Sequence, residues 1–318
     1  MRVTLTPHTA FEPPALGTAG PDARRVEAHD CAFASAGVTL GGTWHTPAGD
    51  DPTAVVVVAG GAGVPARAYR HLAHRLASCG AAVLTFDYRG VGVSRSGDLR
   101  RLVARAEEWS ADAGAALHVA RRRFPGVELH AVAHSAGTFL LGAAPGAASL
   151  GRVVLLAPHT AYWGDYRARW RPVMRLAWHV LMPRVTRLVG YFPARALGMG
   201  GDLPKGIALD WAARRHPDVM HSPALRARFR HLLERFEQVR APTLALTATD
   251  DPFATTSAAA RLLGYYPHAS AVREAVAPDD IGVVRIGHVG FLRPAVGPYF
   301  WDRAARWLEL RPDDAPLS

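Results

Sequence analysis

The 318-residue chain is expected to fold as an α/β protein, with a mostly parallel central sheet, helices on both faces, and a helical segment inserted near its middle. Three observations predict this. Short apolar runs of strand length alternate with stretches of helical period along most of the chain. That alternation stops between Pro158 and Arg240, where helical patterns take over. Turns rich in small residues follow several of the apolar runs, at the strand ends where open parallel sheets bind their ligands. The length agrees, because one α/β unit carrying an insert exceeds a typical domain.

Residues 1–23, with Pro7, Pro13, Pro14 and Pro21, read as a loose lead-in. Residues 26–44 predict an antiparallel hairpin. The run Val55-Val56-Val57-Val58 is a buried strand, and the glycine-rich turn Ala59-Gly60-Gly61-Ala62-Gly63 follows it. A helix marked by Tyr69, Leu72 and Leu76 comes next and ends near Gly80. Further strand and helix units cover 81–86 with a helix over 102–123, and 127–133 with a short helix from Thr138. Strands over 153–156, 243–246 and 271–276 and a closing helix over 300–310 complete the pattern. The core is thus expected over 24–158 and 241–318. The insert, 159–240, carries helical patterns over 173–189, 207–215 and 225–239.

Composition narrows the function. The net charge of +10 and pI near 10.4 raise the question of nucleic acid, but Lys205 is the only lysine and no DNA- or RNA-binding motif accompanies the charge. The arginines read as scattered beside acids, so no nucleic-acid partner is expected. No uncharged apolar stretch of membrane-spanning length occurs, and residues 1–14 lack the basic start and apolar run of a signal peptide. A cytoplasmic protein without stable membrane insertion is expected, its oligomeric state open. Cys31 and Cys79 read as reduced packing residues. His71 and His74 stand i, i+3 on a helix without a third ligand, so no metal is expected.

The chemistry is carried by Ala133-His134-Ser135-Ala136-Gly137, which lies between an apolar strand run and a short helical one. A serine on so tight a turn needs small residues two before and two after it, and its hydroxyl is lifted clear of the sheet. Ala133 stands where glycine is usual. The first helical amide, that of Ala136, points to where an oxyanion would form. Gly61 in the earlier turn is expected to supply the second donor; a phosphate-binding reading fails for want of the Lys-Ser/Thr pair. Downstream, a strand ends in Thr249-Asp250-Asp251-Pro252-Phe253, and Gly287-His288-Val289-Gly290 sets a histidine in a loop before the last helix. The order Ser135, Asp251, His288 supplies a nucleophile, an orienting carboxylate and a base. Asp250 and Asp165 stay open as alternative acids. His134 is expected to point away and to pack or bond locally.

The strand over 81–86 ends in Asp87-Tyr88-Arg89-Gly90-Val91-Gly92-Val93-Ser94. Here the chain resembles the α/β-hydrolase superfamily, whose corresponding loop commonly reads Asp-x-Arg-Gly-x-Gly-x-Ser. Tyr162-Trp163-Gly164-Asp165-Tyr166, Asp250-Asp251-Pro252-Phe253-Ala254 and Arg285-Ile286-Gly287-His288 look like a bacterial branch described as predicted α/β hydrolases. The resemblance spans about residues 30–310 and implies the α/β-hydrolase fold with a helical cap over 159–240, together with a Ser-His-Asp triad. The expected activity is hydrolysis of a small-molecule carboxylic ester through an acyl-enzyme, with no cofactor. Acyl transfer or thioester cleavage by the same triad, or a catalytically silent ligand-binding protein, are the alternatives. The insert holds Trp163, Trp170, Trp178 and Trp211, and Trp163 and Tyr166 are candidates for an apolar acyl site. The same rings would also serve as the insert's own core.

Overall fold

The computed structural model describes residues 24–310 apart from 103, 199 and 214–222. The expected lead-in over 1–23 lies outside the described residues. The chain opens with β1 (Val26–Ser35) and β2 (Val38–Pro47), then β3 (Ala54–Ala59), α1 (Arg70–Ser78), β4 (Ala81–Phe86) and α2 (Ala106–Arg123). β5 (Leu129–His134), α3 (Gly137–Gly142) and β6 (Val153–Leu156) follow. The insert contains α4 (Arg171–Leu176), α5 (Met182–Val189), β7 (Tyr191–Phe192), β8 (Leu203–Pro204), α6 (Lys205–Ala212) and α7 (Pro223–Gln238). β9 (Thr243–Ala248), α8 (Thr256–Leu263), β10 (Ala271–Val276) and α9 (Gly297–Trp307) return to the core.

The eight-stranded sheet has the order β1-β2-β4-β3-β5-β6-β9-β10. β2 runs antiparallel to both neighbours, and the pairs from β4 to β10 are parallel. This is the α/β-hydrolase fold. Strand β3 is buried along its whole length, as expected of a central parallel strand covered on both faces. Its side chains alternate: Val55 and Val57 join one core layer with Trp109 and Leu117 of α2 and Phe139 of α3. Val56 and Val58 join the other with Leu72 and Leu76 of α1 and Phe300 of α9.

Three local features differ from the sequence pattern. Helix α2 starts at Ala106 rather than near 102, because the Arg105 amide donates to Glu108 Oε2 (2.7 Å) and the Ala106 amide to Asp210 Oδ2 (3.1 Å), which caps the first turn there. Helix α8 was not expected; Thr255 caps it by accepting from the Ala258 amide. The insert also holds the small antiparallel pair β7 and β8.

The loop after β4 shows why its motif needs those residues. Buried Arg89 forms an ion pair with buried Asp112 of α2 (2.6 Å) and donates to Ser35. Asp87 accepts from the Ala66 and Val93 amides. A Cβ at Gly92 would lie 2.0 Å from Asp87 Oδ2, and its φ of +47° is left-handed, so only glycine closes this turn. The loop is thereby tied to β1, to α2 and to the turn that follows β3.

Candidate active site

Ser135 follows β5 directly with φ +53°, a strained conformation for a residue with a side chain. The strain is held from two sides. Its amide donates to the Leu156 carbonyl of β6 at 2.9 Å. Gly137 backs onto β3 so closely that a Cβ there would lie 2.2 Å from the Ala59 carbonyl oxygen. Ala133, the alanine in a glycine position, is fully buried within β5.

The three expected triad residues come together. Ser135 Oγ lies 2.9 Å from His288 Nε2, and His288 Nδ1 lies 2.8 Å from Asp251 Oδ2. Asp251 Oδ1 accepts from the Phe253 and Ala254 amides. Burial alone would raise the Asp251 carboxyl, but the hydrogen bond and charge of His288, with those two amides, bring it below its ordinary value. The carboxylate therefore stays ionised, fixes the Nδ1–H tautomer of His288 and leaves Nε2 free to accept the serine proton. Asp250, the neighbouring alternative, accepts from the Ile286 and Gly287 amides (3.0 and 2.8 Å) and so clamps the loop that carries His288. Asp165 is bound to Arg261 at 3.0 Å. Neither alternative acid reaches the imidazole in this arrangement.

A second histidine touches the nucleophile. His159, three residues beyond β6, sets Nε2 3.2 Å from Ser135 Oγ. The Ala161 amide donates to its Nδ1 at 3.1 Å, so the ring's proton is on Nε2 and is donated to Oγ. Ser135 Oγ thus accepts from one imidazole and donates to another. The sequence pattern did not single out His159. Its signal was position alone, just past the strand beside the serine's own.

Of the two expected roles, packing or a local bond, His134 takes the first, buried against Tyr69 and Phe291, while its hydrogen bonds are long-range. Its Nε2 donates to the backbone carbonyl of His288 at 3.1 Å, across 154 positions of sequence. Since a carbonyl only accepts, Nδ1 is the acceptor and receives the Tyr69 hydroxyl proton at 3.0 Å. The Tyr69 oxygen in turn accepts the Gly61 amide at 2.7 Å. Burial of this pocket, with the neighbouring His288 charge, brings the His134 pKa down to about 3.

That last bond corrects the expected oxyanion donor. The Gly61 amide is committed to Tyr69, because the turn's glycine lies against His134 and the Ser135 Cβ with its N–H turned toward the ring. The next amide, Ala62, makes no hydrogen bond among the described residues, and neither does that of Ala136. Both residues line a cavity of about 20 Å³, with Trp109, Leu140, Ile207, Asp210 and Trp211. That space holds about one water molecule. Core and insert both contribute to its walls, so the insert acts as a cap.

Trp163 and Tyr166 are not on this wall. Trp163 lies under the Arg175 guanidinium (5.5 Å) and against Tyr162. Buried Tyr166 packs on Phe253 and accepts the Trp178 indole N–H. Trp211 is the ring of the insert on that wall, edge-on to His159 with centroids 5.5 Å apart. The His71 ring stacks on Trp301, and no group of three or more His, Cys, Asp or Glu able to hold a metal occurs among the described residues.

Residues 50–274 match the sequence profile of the family described as serine aminopeptidase, S33, a span that includes Ser135 and Asp251. The chain belongs to that family. Among solved structures, the Pyrococcus furiosus esterase Pf2001 is 15% identical with a TM-score of 0.57, covering 96% of this chain and 98% of its own. A Pyrococcus horikoshii acylaminoacyl peptidase is 13% identical with a TM-score of 0.57, over 92% of this chain and 43% of its own. The haloalkane dehalogenase variant DbeA-M1 of Bradyrhizobium elkanii is 12% identical with a TM-score of 0.56, over 89% and 98%. At these identities the structural likenesses carry the fold, and within the S33 family the chain's own triad carries the chemistry of a serine hydrolase.

Proposed function

We propose that the protein hydrolyses a carboxylic ester of a small organic substrate through an acyl-enzyme on Ser135. The observation that carries this reading is the unbroken relay from Ser135 Oγ through His288 to Asp251, at 2.9 and 2.8 Å. As Oγ attacks the ester carbonyl, its proton passes to His288 Nε2, and the imidazolium is stabilised by Asp251. The carbonyl oxygen gathers negative charge opposite the Ala62 and Ala136 amides, the two unengaged donors beside the serine. His159 gives its N–H to Oγ as the serine proton departs. The C–O bond to the alcohol breaks and the alcohol leaves with the proton from His288. A water then gives its proton to His288, attacks the acyl carbon, and releases the acid and Ser135. The three steps need no cofactor.

A second reading, cleavage of an amino-terminal residue, is favoured by the family's description and by the Asp210 carboxylate on the cavity wall, which would attract an ammonium group. Asp210 already accepts from the Ala106 amide and lies 3.5 Å from Arg105, so its charge is largely answered. The ester reading therefore stands first.

The test is intact-mass detection of a fluorophosphonate adduct, followed by turnover of a panel of esters, thioesters and aminoacyl anilides. Ser135→Ala is expected to abolish both labelling and turnover while the melting temperature holds. Turnover retained by the pure variant overturns the reading, and preference for anilides moves it to the peptidase.

A further inference from the structure

Six of the ten exposed large hydrophobic side chains among the described residues fall within one stretch of 28 residues of the cap: Trp170, Val173, Leu176, Leu181, Leu188 and Leu197. Exposed apolar residues scattered singly call for no explanation, but a contiguous group does. The helix running through α4 and α5 gathers four of them into a stripe. Its inner row, Met174, Trp178, Met182 and Thr186, is buried. Its outer row begins with Val173 and Leu176, one turn apart. Between α4 and α5 lies one wide turn, Ala177–Leu181, with π-helical bonding. Because that turn bonds i to i+5, Leu181 falls in line with Leu176, and Leu188, two α-turns further on, continues the row. Leu188 is 88% exposed and Val173 53%.

Charge says what would cover this stripe. Residues 166–201 contain seven arginines and no Asp or Glu, against the expectation that the chain's arginines stand beside acids. Arg175, Arg184 and Arg187 are exposed on the same helix, and none of them forms an ion pair with an acid among the described residues. An exposed row of Leu and Val bordered by arginines matches a helix that lies in a lipid interface, with its apolar row among the acyl chains and its guanidinium groups at the phosphates. No helix among the described residues is long and apolar enough to cross a membrane, which fits lying on a surface and not spanning it. The opposite row faces the site: Trp178 meets Trp211 (6.2 Å), Trp211 meets His159, and His159 bonds Ser135.

We infer that the outer row of the cap helix, Val173, Leu176, Leu181 and Leu188 with Arg175, Arg184 and Arg187, docks the protein on the surface of an anionic lipid bilayer. The partner is a lipid headgroup layer carrying net negative charge, and the attraction has both an apolar and a salt-sensitive part. Docking sets the cap, the wall of the catalytic cavity, against the membrane.

The test uses the full-length protein with sucrose-loaded vesicles of phosphatidylcholine alone and of phosphatidylcholine mixed with phosphatidylglycerol. Co-sedimentation is expected with the mixed vesicles, weakened by salt, and not with phosphatidylcholine alone. Arg184→Gln and Arg187→Gln should each weaken binding about fivefold. The combined Leu176→Ser, Leu181→Ser and Leu188→Ser variant should lose binding with its melting temperature kept, since those side chains already face water. If the triple variant does not fold, the two arginine variants still decide. Equal sedimentation with both vesicles, or with neither, overturns the inference. So does a dimer in sedimentation velocity that the leucine variants dissociate, because the stripe would then be covered by a second copy.

Discussion

At the residue scale the nucleophile sits between two imidazoles with different duties. His288 takes a proton from Oγ, and its orientation is set by Asp251. His159 only donates, since its Nδ1 is occupied by the Ala161 amide. Removing that donor with His159→Phe should lower kcat by ~10- to 100-fold, the range of a hydrogen bond to a charged group. His159→Gln, which keeps an N–H near the same point, should recover part of the loss. Equal losses in both variants would make His159 a packing residue. His134 supplies a pH signature of stability. Above its ordinary pKa of ~6.5 the imidazole is neutral in both folded and unfolded chains and adds no pH dependence. As pH falls from there toward about 3, the unfolded chain takes up a proton that the buried ring refuses, so stability is lost across that window. The slope from this group should approach ~1.4 kcal/mol per pH unit. His134→Gln, whose amide still reaches the His288 carbonyl, should flatten it in urea unfolding measured across the window, and an unchanged slope would remove His134 from the account. The triad was legible in the sequence because Ser135 and Asp251 come just after strands, His288 stands in a glycine-flanked loop before the last helix, and the three follow in the order Ser, Asp, His. His159 and the Tyr69–Gly61 bond were not, because neither has a motif; each depends on which way a side chain or amide turns once neighbouring strands are side by side.

At the scale of elements, the loop after β4 is a structural staple that sequence alone marks only by its resemblance. Arg89 and Asp112 are an ion pair almost wholly removed from water, at 6% and 0% side-chain exposure. Removing one partner leaves the other charge buried, so Arg89→Met should destabilise the protein by ~3–5 kcal/mol in chemical denaturation. Adding Asp112→Leu should restore part of that loss, because two apolar side chains leave no uncompensated charge. A double variant less stable than the single one would contradict this. The central strands were readable from their apolar runs, since a strand buried on both faces has no polar positions to blur it. Helix starts were less so. The start of α2 is fixed by Asp210, which lies 104 positions away from the amide it caps. The wide turn between α4 and α5 is likewise invisible to a 3.6-residue period, and it is this turn that aligns the outer row of the cap.

At the scale of the whole molecule, the cap helps to wall the cavity in which the proposed reading places the acyl group. The cavity lined by Ala62 and Ala136 is about 20 Å³, near the size of one water, and Trp211, Ile207 and Leu140 form part of its wall. On the proposed reading the acyl group enters this cavity, where one much longer than acetyl has to displace a wall. A series of ester substrates of rising acyl length should therefore show kcat/KM falling after the shortest members. The sequence singled out Trp163 and Tyr166 among the cap's rings for the acyl site, although a ring in a cap's core and a ring on a cavity wall have the same spacing. In the structure Trp211 is on the cavity wall, Trp163 lies beneath Arg175, and Tyr166 packs between Phe253 and His159. Trp211→Ala should move the fall toward longer acyl groups, each added methylene that is newly buried gaining up to ~0.8 kcal/mol, about fourfold in kcat/KM. Trp163→Ala should leave the shape of the series unchanged and act only on stability. The two series, measured beside melting temperatures, separate wall from core. If Trp163→Ala shifts the profile and Trp211→Ala does not, the acyl group lies on the other side of the serine.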